Sequence, residues 1–210
     1  MRTFHLIQRA VVVTLAAVLA LACFGTPARA QQGGLTMQVD LARMVDESEN
    51  VVLARVTNVV AEKHPDFGNL DTVVVTLQVL DPIKGSPGAV LTFRQYVFDI
   101  HDRDTKLGYR AGEEVVVMLR RPSQFGLTSP VGLEQGRFRV ERDGLNNRMV
   151  RNGSDNAGLF GGVDQTSPGL RPRLSQGVQQ LVTDHRAGPI SYDQFKSFVQ
   201  NQVAARQGVQ

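Results

Sequence analysis

Asp99, His101, Asp102 and Asp104 crowd one short stretch of the chain. Carboxylates and imidazoles are ligands for hard cations and for zinc, which makes His101, Asp102 and Asp104 the candidate metal-binding residues. Their spacing matches no calcium-binding loop, and Arg103 and Lys106 stand among the acids. The expected state is therefore a solvated loop whose charges pair with one another. His64, beside Pro65, and His185, before Arg186, have no partner fixed by spacing and are expected in surface or capping roles. Ser154-Asp155-Asn156 echoes a tripeptide of penicillin-recognising enzymes, but no Ser-x-x-Lys supplies their nucleophile. Gly-x-Ser-x-Gly is also missing, so the tripeptide is expected to be a turn. Gly161-Gly162 lacks the strand-before, helix-after context of a phosphate loop.

Arginine offers a second chemistry, because its planar fork suits carboxylate and phosphate partners. Arg137 and Arg139 alternate outward on one expected strand, and Arg94 is placed to join them across a sheet, which gives a candidate binding face. The competing expectation is a solvated face whose arginines pair with Glu134, Glu141 or Asp143.

Charge and cysteine content narrow the classes further. Arg2, His5 and Arg9 form a basic start, Ala10 to Ala22 an apolar run, and Ala28-Arg29-Ala30 a small-x-small cleavage site before Gln31. The apolar run is about 13 residues, against the ~20 that a spanning helix needs. Residues 1–30 thus read as a cleaved secretory signal, with export to the periplasm or the medium. Ala20-Leu21-Ala22-Cys23 loosely resembles a lipidation site, a minor alternative to cleavage after Ala30.

The leader carries Arg2, Arg9 and Arg29 and no acid, so its removal takes the formal charge from +3 to zero. A neutral exported chain without an aromatic stripe lacks the footprint of a nucleic-acid binder. Cys23 is the only cysteine. The mature chain therefore has no disulfide, thiolate metal site or cysteine nucleophile, and its fold rests on its core. No cofactor is implied.

The elements that would position these residues are mostly strands. Val73, Val75, Leu77 and Val79 alternate with polar residues, the pattern of a half-buried strand. Lys84-Gly85-Ser86-Pro87-Gly88 turns the chain into a strand over 89–95, and Val115–Leu119 is a third apolar run. Val51–Val60 is expected to precede them as a long strand. Residues 97–112 are expected as a polar crossing loop. Residues 136–141 and 148–152 are the last strands, with Phe138 and Val140 inward.

Helices are expected at both ends. Asp40 can cap a short one whose Leu41, Met44 and Val45 share a face. Residues 152–172 shift to Gly, Asn, Ser, Asp and Pro, the composition of a linker or mobile loop. Beyond them Leu174, Val178, Leu181 and Val182 mark an amphipathic helix. Ser191 to Gln194 reads as a capping box, with Ile190 and Phe195 as its staple, for a second helix bearing Phe198, Val199 and Val203.

Three segments carry a resemblance: Ile83-Lys84-Gly85, Gly112–Leu119, and Gly132-Leu133-Glu134-Gln135-Gly136-Arg137-Phe138-Arg139-Val140. With the order of elements around them they resemble the netrin-like domain, the OB-type barrel of the tissue inhibitors of metalloproteinases. More closely, they are similar to a group of uncharacterised exported bacterial proteins. The resemblance covers roughly residues 38–150 and implies a fold more than a function. It implies a small OB-like, netrin-like antiparallel β-barrel with a short N-terminal helix and a C-terminal helical extension. The domain layout expected is a signal over 1–30, the barrel over 31–151, a linker over 152–172 and helices over 173–210. Those inhibitors present an N-terminal cysteine to the protease zinc; Gln31 stands at the predicted N-terminus here, so that mechanism does not carry over.

Without a constellation that specifies a reaction, the expected function is a non-enzymatic, exported interaction module binding an envelope or secreted protein. Tyr192, Phe195 and Phe198 are a candidate partner surface if they are exposed. The alternatives are a secreted metal-dependent hydrolase using the 99–104 loop, which needs His101 and Asp102 to meet another ligand in one pocket, and a protease regulator.

Overall fold

The computed structural model describes residues 37–208. The predicted signal, its cleavage site and Cys23 lie outside the described residues. The alternating valines form β2 (Asp71–Lys84), which hairpins with the equally long β1 (Asn50–Lys63). β3 (Val90–Tyr96), β4 (Glu114–Leu119), β5 (Arg137–Arg142), β6 (Arg148–Asn152) and the two-residue β7 (Ile190–Ser191) complete one sheet. Its order is β3-β2-β1-β4-β5-β6-β7, and every neighbour is antiparallel.

The sheet does not close into the expected barrel. β3 and β7 are its edges, and β7 is too short to extend a ladder. The outer edge of β3 meets a loop instead, through one bridge between Arg94 and Leu127 and a hydrogen bond from the Thr128 amide to the Arg94 carbonyl (2.9 Å). The sheet is nevertheless strongly curled. Tyr109 touches both Phe93 of β3 and Arg137 of β5, strands with three others between them.

Curling gives the molecule two cores that share a wall. Inside the curl lie Val52, Ala54 and Val56 of β1, Val73, Val75 and Leu77 of β2, Phe93, and Val115, Val117 and Leu119 of β4. The opposite faces of β1 and β4 present Val51, Leu53, Val116 and Met118 to a layer of helices. Both faces of β4 are thus buried, which is why Val115–Leu119 is an unbroken apolar run where an alternating one would suit a half-exposed strand.

There are five α-helices among the described residues, α1 (Leu41–Glu47), α2 (Ile100–Asp104), α3 (Val163–Thr166), α4 (Gln176–Asp184) and α5 (Tyr192–Gln207), and all but α2 belong to the covering layer. α2 lies apart, in the β3–β4 connection. The Asp40 side chain caps α1 by accepting from the Arg43 amide at 3.0 Å, as its sequence predicts. Ser191 stands at the start of α5 without a side-chain capping bond, although Ile190 and Phe195 are both buried. No helix among the described residues is long and apolar enough to cross a membrane.

The 152–172 segment, expected as a linker or mobile loop, is packed. Leu159, Phe160, Val163 and Leu170 are buried with the helices. Asn156 is fully buried: its Oδ1 accepts from the Asn152 amide, and its Nδ2 donates to the Val150 and Gly188 carbonyls at 2.9 Å each. The Gly- and Asn-rich composition serves tight turns, with Asp155 and Asn156 both at positive φ, rather than freedom. The described residues belong to one compact unit.

Candidate functional site

Three loops meet at one end of the curled sheet: 64–70 between β1 and β2, the start of the β3–β4 connection, and 120–132 between β4 and β5. His64 joins two of them. Its Nδ1 accepts the Asp66 amide at 3.1 Å, which leaves Nε2 to donate to the Phe125 carbonyl at 2.9 Å. This buried histidine is thus a stitch rather than a surface residue, and it holds the Phe67 and Phe125 rings edge to face at 5.3 Å. The Ser123 hydroxyl accepts the Phe125 and Leu127 amides, tightening the second loop, and Thr128 ties that loop to β3.

The tips of these loops are apolar. Phe98 and Ile100 are each 67% exposed, Phe125 is 49% and Phe67 44%. Tyr96 and Phe98 meet edge to face with ring centroids 5.0 Å apart. The Phe67–Phe125 and Tyr96–Phe98 pairs are apolar surface of the kind that association buries. Beside them a cleft of about 170 Å³ is walled by Gln95, Tyr96, Phe98, Leu127, Thr128 and Leu133, with two serine hydroxyls at its edge. The arrangement can hold an apolar group against aromatic rings. It brings together no nucleophile and base.

The sequence-derived candidates fall elsewhere. His101 is exposed, and Asp99 caps α2 by accepting the Asp102 amide at 2.8 Å. Arg103 pairs with Asp104 at 3.3 Å and lies 3.8 Å from Asp71. Burial raises the pKa of Asp102, and the nearby Asp99 and Glu134 add to that against the opposing effect of His101. No group of three or more metal-ligating side chains converges among the described residues.

The three arginines do not share a face. Arg137, expected outward, is buried. It stacks 4.5 Å above the Tyr109 ring, reaches the Leu107 carbonyl, and is paired with Glu134. Alternation did turn it away from Phe138, but the curl covers that side too. Burial pushes the Tyr109 phenol well above its ordinary pKa. Arg94 donates to Thr72 Oγ1 (2.8 Å) and Glu62 (2.7 Å). Arg139 alone is exposed.

His185 closes the C-terminal end of α4 and packs on Phe160, and burial lowers its pKa. It borders a wider hollow of about 630 Å³ whose other walls are mostly polar and include no phenylalanine or tyrosine. Tyr192, Phe195 and Phe198, the expected partner surface, are 5%, 0% and 0% exposed and cover the sheet instead.

The residues that do make a surface were legible in part. Phe67 and Phe125 each precede a glycine in a polar loop, and Phe98 and Ile100 interrupt an otherwise polar crossing. Large apolar side chains at loop tips have no core to fill and are a signal of a binding surface. Comparison with known proteins adds nothing to this geometry: no family model, curated protein or solved structure matches the chain.

Proposed function

We propose that this chain is an exported, non-enzymatic binding module that docks an envelope or secreted protein on the aromatic end of its curled sheet. The observation that carries this reading is a set of exposed apolar side chains on connected segments. Tyr96 and Phe98 wall the cleft, Phe125 lies in the loop that supplies its Ser123 and Leu127, Phe67 packs on Phe125, and Ile100 follows Phe98. Exposed aromatic side chains forfeit burial energy in the free protein and recover it on association, and they dominate the energetics of interfaces. The sequence resemblance to netrin-like domains supports the same end of the molecule. OB-type domains take ligands on the loops after their first and fourth strands, the loops that bear Phe67 and Phe125 here. Export follows from residues 1–30 as a signal.

The test is capture from envelope and secreted fractions by the purified protein and by a Phe98→Ser/Phe125→Ser variant. Both side chains are about half or more exposed, so the variant should keep its melting temperature. A partner held by the parent and lost at least tenfold by the variant is expected. Equal retention by both would remove the aromatic end from the function.

A further inference from the structure

β3 and the residue after it turn Leu91, Phe93, Gln95 and Val97 toward the inside of the curl, and three of the four are apolar side chains packed in that core. Gln95 is the exception. It is 7% exposed, and its Oε1 is shut off from solvent with no hydrogen-bond partner among the described residues. An unpaired buried amide oxygen carries its full desolvation penalty, and a leucine would fill the position without one. The same side chain forms part of the wall of the aromatic cleft. None of the residues lining that cleft is charged, which suits neither an acidic or basic tail nor an anionic lipid headgroup.

The molecule itself shows how a glutamine amide holds an extended chain. Gln135 Oε1 accepts the Val39 amide at 3.0 Å while its Nε2 donates to the Met37 carbonyl at 3.1 Å. One side chain thereby satisfies the N–H and C=O that a neighbouring strand would otherwise pair.

We propose that Gln95 and the cleft form a peptide-binding subsite for an extended, uncharged segment of a partner protein. One apolar side chain of that segment enters between Tyr96, Phe98, Leu127 and Leu133, and the Gln95 amide, turning its Oε1 from the core toward the cleft, accepts the N–H of the backbone beside it. The proposal rests on the aromatic end being a partner surface, and adds the chemical class of what docks there. A cleft of this volume admits one side chain and not a folded domain.

The test uses blocked pentapeptides Gly-Gly-X-Gly-Gly, with X each apolar residue in turn or glycine, titrated into the purified protein and a Gln95→Leu variant. Peptides with a bulky apolar X are expected to bind and the glycine peptide not to. Gln95→Leu should keep or raise the melting temperature while weakening the best peptide about tenfold or more. Replacing the peptide N–H beside X by an ester should weaken binding to the parent and leave binding to the variant unchanged. Equal binding by parent and variant, or no binding by any peptide, would overturn the subsite. Partner capture through Phe98 and Phe125 would in that case still stand, so the two failures are distinct. Peptide binding that emerges only when the residues before Thr36 are removed would assign the cleft to this chain's own leading segment and overturn the proposal as well. So would a dimer of the protein that the peptides dissociate.

Discussion

Single residues in the segments that carry the netrin-like resemblance have mechanical duties. Lys84 Nζ donates to the Val45 and Ser48 carbonyls at 2.5 Å each, closing the end of α1. Gly85, at φ +82°, is pressed so close to Glu49 and Asn50 that a Cβ would lie 2.6 Å from the Glu49 carbonyl oxygen. A side chain at Gly136 would strike the Val131 backbone, and Gln135 clips residues 37–39. These residues meet packing demands of this sheet, and they are silent about chemistry for that reason. Asn156 has a similar duty, with every polar atom of its buried amide engaged. Asn156→Ala strands the Asn152 amide and the Val150 and Gly188 carbonyls, and should cost about 2–4 kcal/mol in urea unfolding. A loss below 0.5 kcal/mol would mean that the turn holds without it. Gln95 was not singled out in the sequence, although it is the one polar residue in the Leu91, Phe93, Gln95, Val97 alternation. Arg137 was misread, because alternation says which way a side chain turns and nothing about what lies on that side.

At the scale of elements, strand existence followed from period-2 alternation in β2 and β5, from apolar runs in β1 and β4 and from turn chemistry, and each expected strand is present. α2 was missed because five residues are too few to show a helical period. The 152–172 turns were read as a linker because polar, Gly-rich composition does not reveal that its few apolar residues, Leu159, Phe160 and Val163, all point one way. One electrostatic device joins several strands. Glu114 on β4 is bonded by Arg55 of β1 at 2.9 Å and Arg148 of β6 at 3.0 Å, with Arg142 of β5 at 3.8 Å. Burial alone would raise the Glu114 pKa, but the hydrogen bonds and charges of these arginines outweigh it and hold the carboxyl below its usual range. Its contribution to stability is therefore complete above the ordinary carboxylate range and fades as pH falls through the lowered value. Glu114→Gln should cost about 1–2 kcal/mol at neutral pH, with the two unfolding curves converging in acid. A gap that stays constant from pH 7 to pH 3 would remove the ion pairs from the explanation.

Across the whole molecule, β1 and β4 are a party wall, and neither core is complete without them. A chain ending at residue 151, the expected limit of a free-standing barrel, would strip Leu159, Val163, Leu170, Val178, Phe195 and Phe198 from the outer face of that wall. It should lose its sharp thermal transition and bind a hydrophobic dye. A soluble truncation that melts cooperatively would show that the curled sheet folds alone. The shared wall also orders events as the chain is made. The core inside the curl draws on residues 52–119, whereas the outer core waits for Val199 near the C-terminus. A polypeptide emerging from the ribosome can therefore close its inner core when little more than half of it exists, while Leu53, Val116 and Met118 still face water. Synthesis of the last sixty or so residues is the interval in which this protein most needs a chaperone, and a pause there exposes it to aggregation.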